Sequence, residues 1–118
     1  MTGADSPVRS VRWEGPDGLT AVVEAVGEID LHRSAQFQQE LLASLDRHPS
    51  RIIVDLSQVG YMDSSGVASL VKLLARVRRE KVGLKLAGLT PRVRSVFEIT
   101  RLDSVFEICA NVEEAMRS

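Results

Sequence analysis

The sequence is poor in the residues that build covalent or metal-centred chemistry. Among its 118 residues there is one cysteine, Cys109, and there are two histidines. A single cysteine excludes an internal disulfide and is consistent with a reducing compartment. One cysteine and two separated histidines also do not supply the clustered ligands of a zinc site. We therefore expect neither a disulfide framework nor a bound metal or other cofactor.

The sequence also lacks an excess of charge and any long hydrophobic run. Its formal net charge is −1, whereas a nucleic-acid-binding domain usually shows a basic excess. No apolar stretch approaches the roughly 20 residues that cross a bilayer, and "MTGADSPVRS" has no signal-peptide core. With 44% hydrophobic and 26% charged residues, the chain can build a packed core. We expect one cytoplasmic domain that neither contacts nucleic acid directly nor spans a membrane.

Two different spacings of hydrophobic residues along the chain predict the secondary structure. Alternating or β-branched runs predict strands, and apolar residues three or four apart predict helices. After a loose tail at residues 1–7, strands are predicted at 8–13, 19–29, 51–57, 81–89 and 104–109. Helices are predicted at 33–48, directly after "MDSSG", from Pro91, and at 112–117.

The order of these elements predicts the fold class. The first two strands flank "EGPDG" and are expected to form an antiparallel hairpin. The later strand–helix–strand repeats favour parallel pairs. The order ββαβαβαβα therefore predicts a single α/β domain at residues 8–117, with a mixed β-sheet and helices packed against it.

The sequence contains little that resembles a catalytic site. A serine hydrolase needs a serine, a positioned histidine and an orienting acid, but only His32 and His48 are present. "MDSSG" is not the Gly-x-Ser-x-Gly motif, and the glycine-rich phosphate-binding motifs are missing. Asp30, Asp55 and Asp63 could gather near strand ends as metal ligands, although caps and turns explain them more simply. We therefore expect that the protein is not an enzyme.

The stretch "MDSSG" is the most informative part of the chain. Asp63 or Ser64 is suited to cap the following helix by accepting a hydrogen bond from an early backbone N–H. Gly66 permits a close backbone approach. Local chemistry therefore favours a plain helix cap but leaves open a site where a serine is modified.

Three segments together resemble the STAS domain family, and more narrowly the bacterial anti-sigma factor antagonists. They are "AVGEIDL" (25–31), "IIVDLSQVGYMDSSGVASLVKLL" (52–74) and "LAGLTPRVRSVFEITRLDSVFEIC" (86–109). The resemblance covers nearly the whole chain and implies a single α/β domain with a mixed sheet.

The resemblance also implies a regulatory role. In that family the serine after the motif aspartate, here Ser64, is phosphorylated by an anti-sigma factor with serine kinase activity, and a PP2C-type phosphatase reverses the reaction. The unphosphorylated antagonist binds the anti-sigma factor and releases a sigma factor. By the same resemblance Asp63, Ser65 and Gly66 shape the loop, and Asp30 occupies the acidic position beside the acceptor.

A helix start also suits such a switch physically. Unpaired N–H groups and the positive end of the helix dipole tolerate a phosphate, so we expect little change in fold on phosphorylation. The added charge is expected to oppose a partner instead. Ala68, Ser69 and Lys72 are predicted to lie on the outward side of the helix, where a partner approaches.

Two other functions remain open from the sequence. The first is a constitutive interaction subunit of a transporter-accessory or stressosome-like complex, in which "MDSSG" is mainly a cap. The second is a small hydrolase that uses Ser64 or Ser65, which the missing triad makes improbable.

Overall fold

The computed structural model of the protein describes residues 6–118. It contains the nine elements in the predicted order ββαβαβαβα, which is confirmed. The strands are β1 Val8–Glu14, β2 Thr20–Ile29, β3 Arg51–Met62, β4 Gly83–Ala87 and β5 Ile108–Cys109. The helices are α1 Ser34–Ala43, α2 Ser64–Glu80, α3 Pro91–Ile99 and α4 Val112–Arg117.

The five strands form one mixed sheet in the order β1-β2-β3-β4-β5. Strand β1 pairs antiparallel with β2, as expected for a hairpin, and Gly18 closes the turn by donating its N–H to the Gly15 carbonyl. The other three pairings are parallel. Parallel neighbours need a crossover, and α1, α2 and α3 supply one between each successive pair of strands.

Apolar side chains are buried on both faces of the central strand β3. Ile52 and Val54 belong to the main hydrophobic cluster, together with buried residues of α1, α2 and α3. Ile53 belongs to a smaller cluster on the opposite face, where Ala115 of α4 contributes. A continuous apolar run is typical of such a strand, so the prediction of a strand buried on both faces is confirmed.

Strand β3 is longer than predicted. It continues past residue 57 to Met62 and pairs with the end of β2, where Ile29 lies opposite Met62. The polar and glycine-containing stretch "SQVGYM" hides this extension, but Val59 and Met62 are buried in the core. Asp55 therefore lies inside β3 rather than at its carboxyl end, and the expectation for its position is wrong.

Other boundaries shift because tight turns replace regular structure. Helix α1 ends at Ala43 and a 3-10 turn follows at Ser44–Arg47. The last strand was predicted at 104–109 but spans only Ile108–Cys109, after a 3-10 turn at Leu102–Ser104. After this turn Phe106 packs against Phe97, with the ring centroids 5.6 Å apart, before the chain reaches β5.

The predicted tail at residues 1–7 lies mostly outside the described residues. Its last two residues are part of the packed domain, because Pro7 is buried and its carbonyl accepts the Val26 N–H at 2.9 Å. The Ser6 hydroxyl donates to the Glu40 carboxylate. Within residues 6–118, no helix has the length and the apolar character that crossing a membrane requires.

Candidate functional site

The stretch "MDSSG" lies at the carboxyl ends of β2 and β3. These two strands end together, and the Asp63 N–H donates to the Ile29 carbonyl at 3.2 Å, just beyond the last strand pair. Helix α2 begins at the next residue, Ser64. The edge of the sheet therefore holds the start of α2 firmly against the end of β2.

Asp63 caps α2. One of its carboxylate oxygens, Oδ1, accepts the backbone N–H groups of Ser65 at 2.9 Å and Gly66 at 3.3 Å. The same oxygen accepts the Ser65 hydroxyl at 2.5 Å. The helix-cap interpretation is therefore correct, and Asp63 rather than Ser64 provides the cap.

These hydrogen bonds lower the pKa of Asp63 below its ordinary value. The largest cause is the Ser65 hydroxyl, and the backbone N–H groups of Gly66, Ser65 and Leu31 act in the same direction. Partial burial opposes them. Donors that favour the charged form keep this carboxylate ionised, so Asp63 acts as a hydrogen-bond acceptor and helix cap rather than as a proton-transfer group near neutral pH.

The two serines of the motif have different environments. Ser64 is exposed at the first helical position, and its hydroxyl makes no hydrogen bond to any part of residues 6–118. Ser65 is half-buried, and its hydroxyl is held by Asp63. Only Ser64 presents a hydroxyl oxygen that an incoming group can reach without breaking an existing contact.

Gly66 is buried where α2 meets β2. A Cβ atom at this position would lie 2.6 Å from Met62 Cγ, 2.9 Å from Ile29 Cγ2 and 3.0 Å from the Ile29 carbonyl oxygen. Contacts this short are not tolerated without movement of the neighbouring chain. The glycine therefore allows the close approach that was inferred from the sequence.

Asp30 follows the last residue of β2, next to the strand end from which Asp63 emerges. Its Oδ1 accepts the His32 N–H at 3.1 Å, and its carbonyl accepts the Ser34 N–H at 2.9 Å. Asp30 thus shapes the turn that enters α1. The structure places Asp30 and Asp63 on neighbouring strand ends, while the suggested third member, Asp55, lies within β3.

The predicted partner face of α2 is partly wrong. Ala68 and Lys72 are exposed as expected, but Ser69 is only 2% exposed. The Ser69 hydroxyl donates to the Ser34 carbonyl at 3.1 Å and to the Ser65 carbonyl at 3.2 Å. Ser34 is the first residue of α1, so Ser69 faces α1 and joins the two helices instead of facing a partner.

Two exposed apolar residues of this region were missed as functional candidates. Leu31, in the loop between β2 and α1, is 72% exposed, and Val71 of α2 is 40% exposed. Val71 was read only as part of the apolar helical pattern. For Leu31 a sequence signal existed, since it is an isolated leucine in the polar stretch "IDLHRS" directly after a strand.

Two arrangements of side chains bear on the chemistry of this site, a metal-binding cluster and a serine–histidine pair. Within residues 6–118, no three or more side chains of the types His, Cys, Asp and Glu lie together in a way that could hold a metal ion. Neither serine of the motif is hydrogen bonded to a histidine within the same range. The arrangement is an exposed hydroxyl on a rigid helix start, and it is suited to modification by another protein.

Comparisons with known proteins show the family to which the chain belongs. The family model described as the STAS domain matches residues 11–115. The anti-sigma-B factor antagonist of Bacillus subtilis is 34% identical over 91 residues, which cover 77% of this chain and 83% of that protein. The protein of the same name from Listeria monocytogenes is 34% identical over 90 residues, which cover 76% and 78% of the two chains.

A solved structure shows the same fold. The anti-sigma factor antagonist SpoIIAA in its unphosphorylated form superposes with a TM-score of 0.72 at 25% sequence identity. The superposition covers 90% of this chain and 92% of the other. The sheet and helices described above are therefore those of an established family fold.

Proposed function

The chain belongs to the STAS domain family, and on this premise we propose that it is an anti-sigma factor antagonist switched by phosphorylation of Ser64. In its unphosphorylated form it binds an anti-sigma factor and so frees a sigma factor. The names of the relatives reported above favour this role over a transporter-accessory or stressosome-like subunit. The protein itself is the substrate of the modifying enzymes and not an enzyme.

The observation that carries this proposal is the difference between the two adjacent serines. The Ser64 hydroxyl is exposed and makes no hydrogen bond within residues 6–118, whereas the Ser65 hydroxyl is held by Asp63 at 2.5 Å. A kinase must bring a hydroxyl oxygen into line with a phosphoryl group. Ser64 can be presented without disturbing the helix cap, and Ser65 cannot.

A phosphate on Ser64 is expected to stay in solvent and leave the fold intact. Three N–H groups in the first turn of α2 already have acceptors: the Asp63 side chain accepts those of Ser65 and Gly66, and the Asp63 carbonyl accepts that of Val67. The phosphate adds about −1.5 to −2 charges beside the ionised Asp63. The helix dipole offsets part of this repulsion, by roughly 0.3–1 kcal/mol at an exposed site.

The consequence of phosphorylation is expected at the partner interface. A neutral hydroxyl enters an interface at little cost, whereas a phosphate must be desolvated or matched with positive charge. A hundredfold loss of affinity needs only about 2.7 kcal/mol. Local electrostatics at Ser64 therefore suffices for a switch, and no refolding is required.

The proposed circuit has two further partners. The anti-sigma factor itself is the serine kinase that modifies Ser64 with ATP, and a PP2C-type phosphatase restores the hydroxyl. Sigma factors act with RNA polymerase in the cytoplasm, so this role places the protein there as well.

The experiment that tests the acceptor uses three purified forms of the chain and the serine-kinase anti-sigma factors encoded in the same genome. With labelled ATP, the parent chain and Ser65→Ala should take up phosphate, and Ser64→Ala should not. Phosphosite mass spectrometry should place the label on Ser64. Labelling of Ser64→Ala to the level of the parent would exclude Ser64 as the acceptor.

A second experiment tests the switch. Ser64→Glu should bind the anti-sigma factor at least about tenfold more weakly than the parent, while its circular dichroism spectrum stays the same. Binding as tight as that of the parent would argue against electrostatic blocking at this position.

A further inference from the structure

The loop between β2 and α1 presents an apolar side chain that the fold does not bury. Leu31 is 72% exposed. Two residues before it, the Ile29 carbonyl accepts the Asp63 N–H at 3.2 Å. This bond holds the start of the loop against the residue that precedes Ser64, the proposed phosphoacceptor.

The outward face of α2 presents further apolar side chains after Ser64. Ala68 lies one turn after Ser64, and Val71 and Ala75 follow at helical spacing on the same side, where all three are exposed. None of them carries a polar side chain. We refer to these three residues and Leu31 together as the Leu31 surface; by helical spacing, the three lie on the same side of α2 as Ser64.

Lys72 gives the Leu31 surface a positive edge. It is exposed on the same side of α2, and it forms no ion pair with any part of residues 6–118. By contrast, Arg76, one turn later, is paired with Glu80 at 2.8 Å. The cation that lies nearer to Ser64 along the helix is therefore the one available to an acidic group of a partner.

We propose that Leu31 is the apolar anchor by which the unphosphorylated protein docks on its anti-sigma factor. The inference rests on the proposed function. The occupant of the Leu31 surface is the anti-sigma factor, which supplies an apolar pocket for Leu31 and an acidic rim facing Lys72. Anchors of this kind dominate binding energy because they exclude water at the centre of an interface.

The anchor also explains why modification of a neighbouring hydroxyl is decisive. An apolar contact beside Ser64 removes water from that place once the partner is bound. A phosphate there must lose its hydration, and Lys72 of α2 lies about 12 Å further along the helix at 1.5 Å per residue. In this proposal the apolar contact of Leu31 provides binding energy, and a phosphate on Ser64 prevents the interface that contains this contact from forming.

The test compares two leucine-sized exposed side chains at different ends of the molecule. Ile99 is 82% exposed at the last position of α3 and serves as the matched control. Dissociation constants are measured by calorimetry with the serine-kinase anti-sigma factor that labels the parent chain, in the presence of a non-hydrolysable ATP analogue. The variants are Leu31→Ala, Leu31→Met and Ile99→Ala, and thermal melting confirms that each is folded.

Leu31→Ala should weaken binding by about tenfold or more, as expected for an anchor. Leu31→Met should stay within about threefold of the parent because it conserves apolar volume. Ile99→Ala should stay within about twofold, as expected for a residue outside the interface. In steady-state phosphorylation of Ser64, Leu31→Ala should raise KM and leave kcat within about twofold, since the hydroxyl itself is unchanged.

Binding of Leu31→Ala within twofold of the parent would overturn the inference, and so would equal losses from Leu31→Ala and Ile99→Ala. These outcomes leave the proposed function intact as long as Ser64 is labelled in the parent. If none of the anti-sigma factors labels Ser64, the proposed function fails first and the anchor fails with it.

Discussion

Helices α2 and α3 both start after parallel strands, with a capping side chain, but they present different groups. Asp63 caps α2 with an ionised carboxylate, while Thr90 caps α3 with a neutral hydroxyl that accepts the Val93 N–H at 3.4 Å. The first residue of α2 is the exposed Ser64, whereas α3 begins with Pro91.

The comparison teaches that a helix N-terminus alone does not make a regulatory site. Both starts satisfy their early N–H groups with a side-chain oxygen, which is the ordinary purpose of a cap. Only α2 adds a modifiable hydroxyl at the first position and an adjoining apolar loop residue. The function we propose comes from these additions and not from the cap.

The largest expected effect concerns the third position of each helix, which is Gly66 in α2 and the buried Val93 in α3. Gly66→Ala should lower the free energy of unfolding by about 1–3 kcal/mol, the usual cost of overpacking. The new Cβ would meet Met62, Ile29 and the backbone of β2 at 2.6–3.0 Å. Urea denaturation of the variant and the parent measures this change.

Gly60 of β3 offers the control for that measurement. Nothing lies within 4 Å of a Cβ atom built there, so Gly60→Ala should change stability by no more than about 0.5 kcal/mol. Equal effects of the two substitutions would mean that the close approach of α2 to β2 does not set the requirement for glycine.

A smaller effect distinguishes the two caps by their charge. Asp63→Ala and Thr90→Ala should each cost about 1 kcal/mol at neutral pH, as is usual for lost caps. The pKa of Asp63 is lowered in the folded protein, so its contribution is present above the unfolded pKa and is lost as pH falls through the folded value. The cost of Asp63→Ala should therefore shrink below about pH 4.

Thr90 does not titrate, and so the cost of Thr90→Ala should stay the same over that pH range. Thermal unfolding at pH 7 and at acid pH measures both variants against the parent. A cost of Asp63→Ala that does not depend on pH would show that the carboxylate charge is irrelevant to the cap.

The smallest expected effect concerns the second position of α2. Ser65→Ala removes the hydroxyl that is the largest cause of the lowered pKa of Asp63, while the two backbone bonds to the carboxylate remain. The pKa of Asp63 should rise towards its ordinary value, which carboxyl NMR titration detects. The loss of stability should be about 0.5 kcal/mol, at the low end for a hydrogen bond, and an unmoved pKa would contradict the assigned cause.

The fold was largely predictable because its signals are local. The spacing of hydrophobic residues and the turn residues indicated every element, and the sequence placed the starts of α3 and α4 correctly. Helix α2 was predicted directly after "MDSSG" but begins within the motif, at Ser64. The carboxyl half of β3 was missed because its pairing partner, β2, lies more than 30 residues earlier in the chain. The short β5 was overestimated because Phe106 is drawn into the core by Phe97.

The residues of the candidate site were predictable from the sequence, but the role of each residue was not. Local chemistry identified a cap within "MDSSG" without deciding between Asp63 and Ser64, and the family resemblance selected Ser64 as the acceptor. Ser69 was assigned to the outward face because the helical period alone does not show where α1 packs. Leu31 was missed although its place in a polar stretch was a signal, because only the fold shows that the side chain is exposed.

By itself, the sequence determined the order of the elements and the helix start at "MDSSG", since these follow from residue types and short spacings. Only the tertiary structure decided which serine hydroxyl is free and which is held. The difference between the two serines depends on how the ends of β2 and β3 position Asp63 against the first turn of α2. Contacts between such distant segments cannot be inferred from the local spacing of hydrophobic residues.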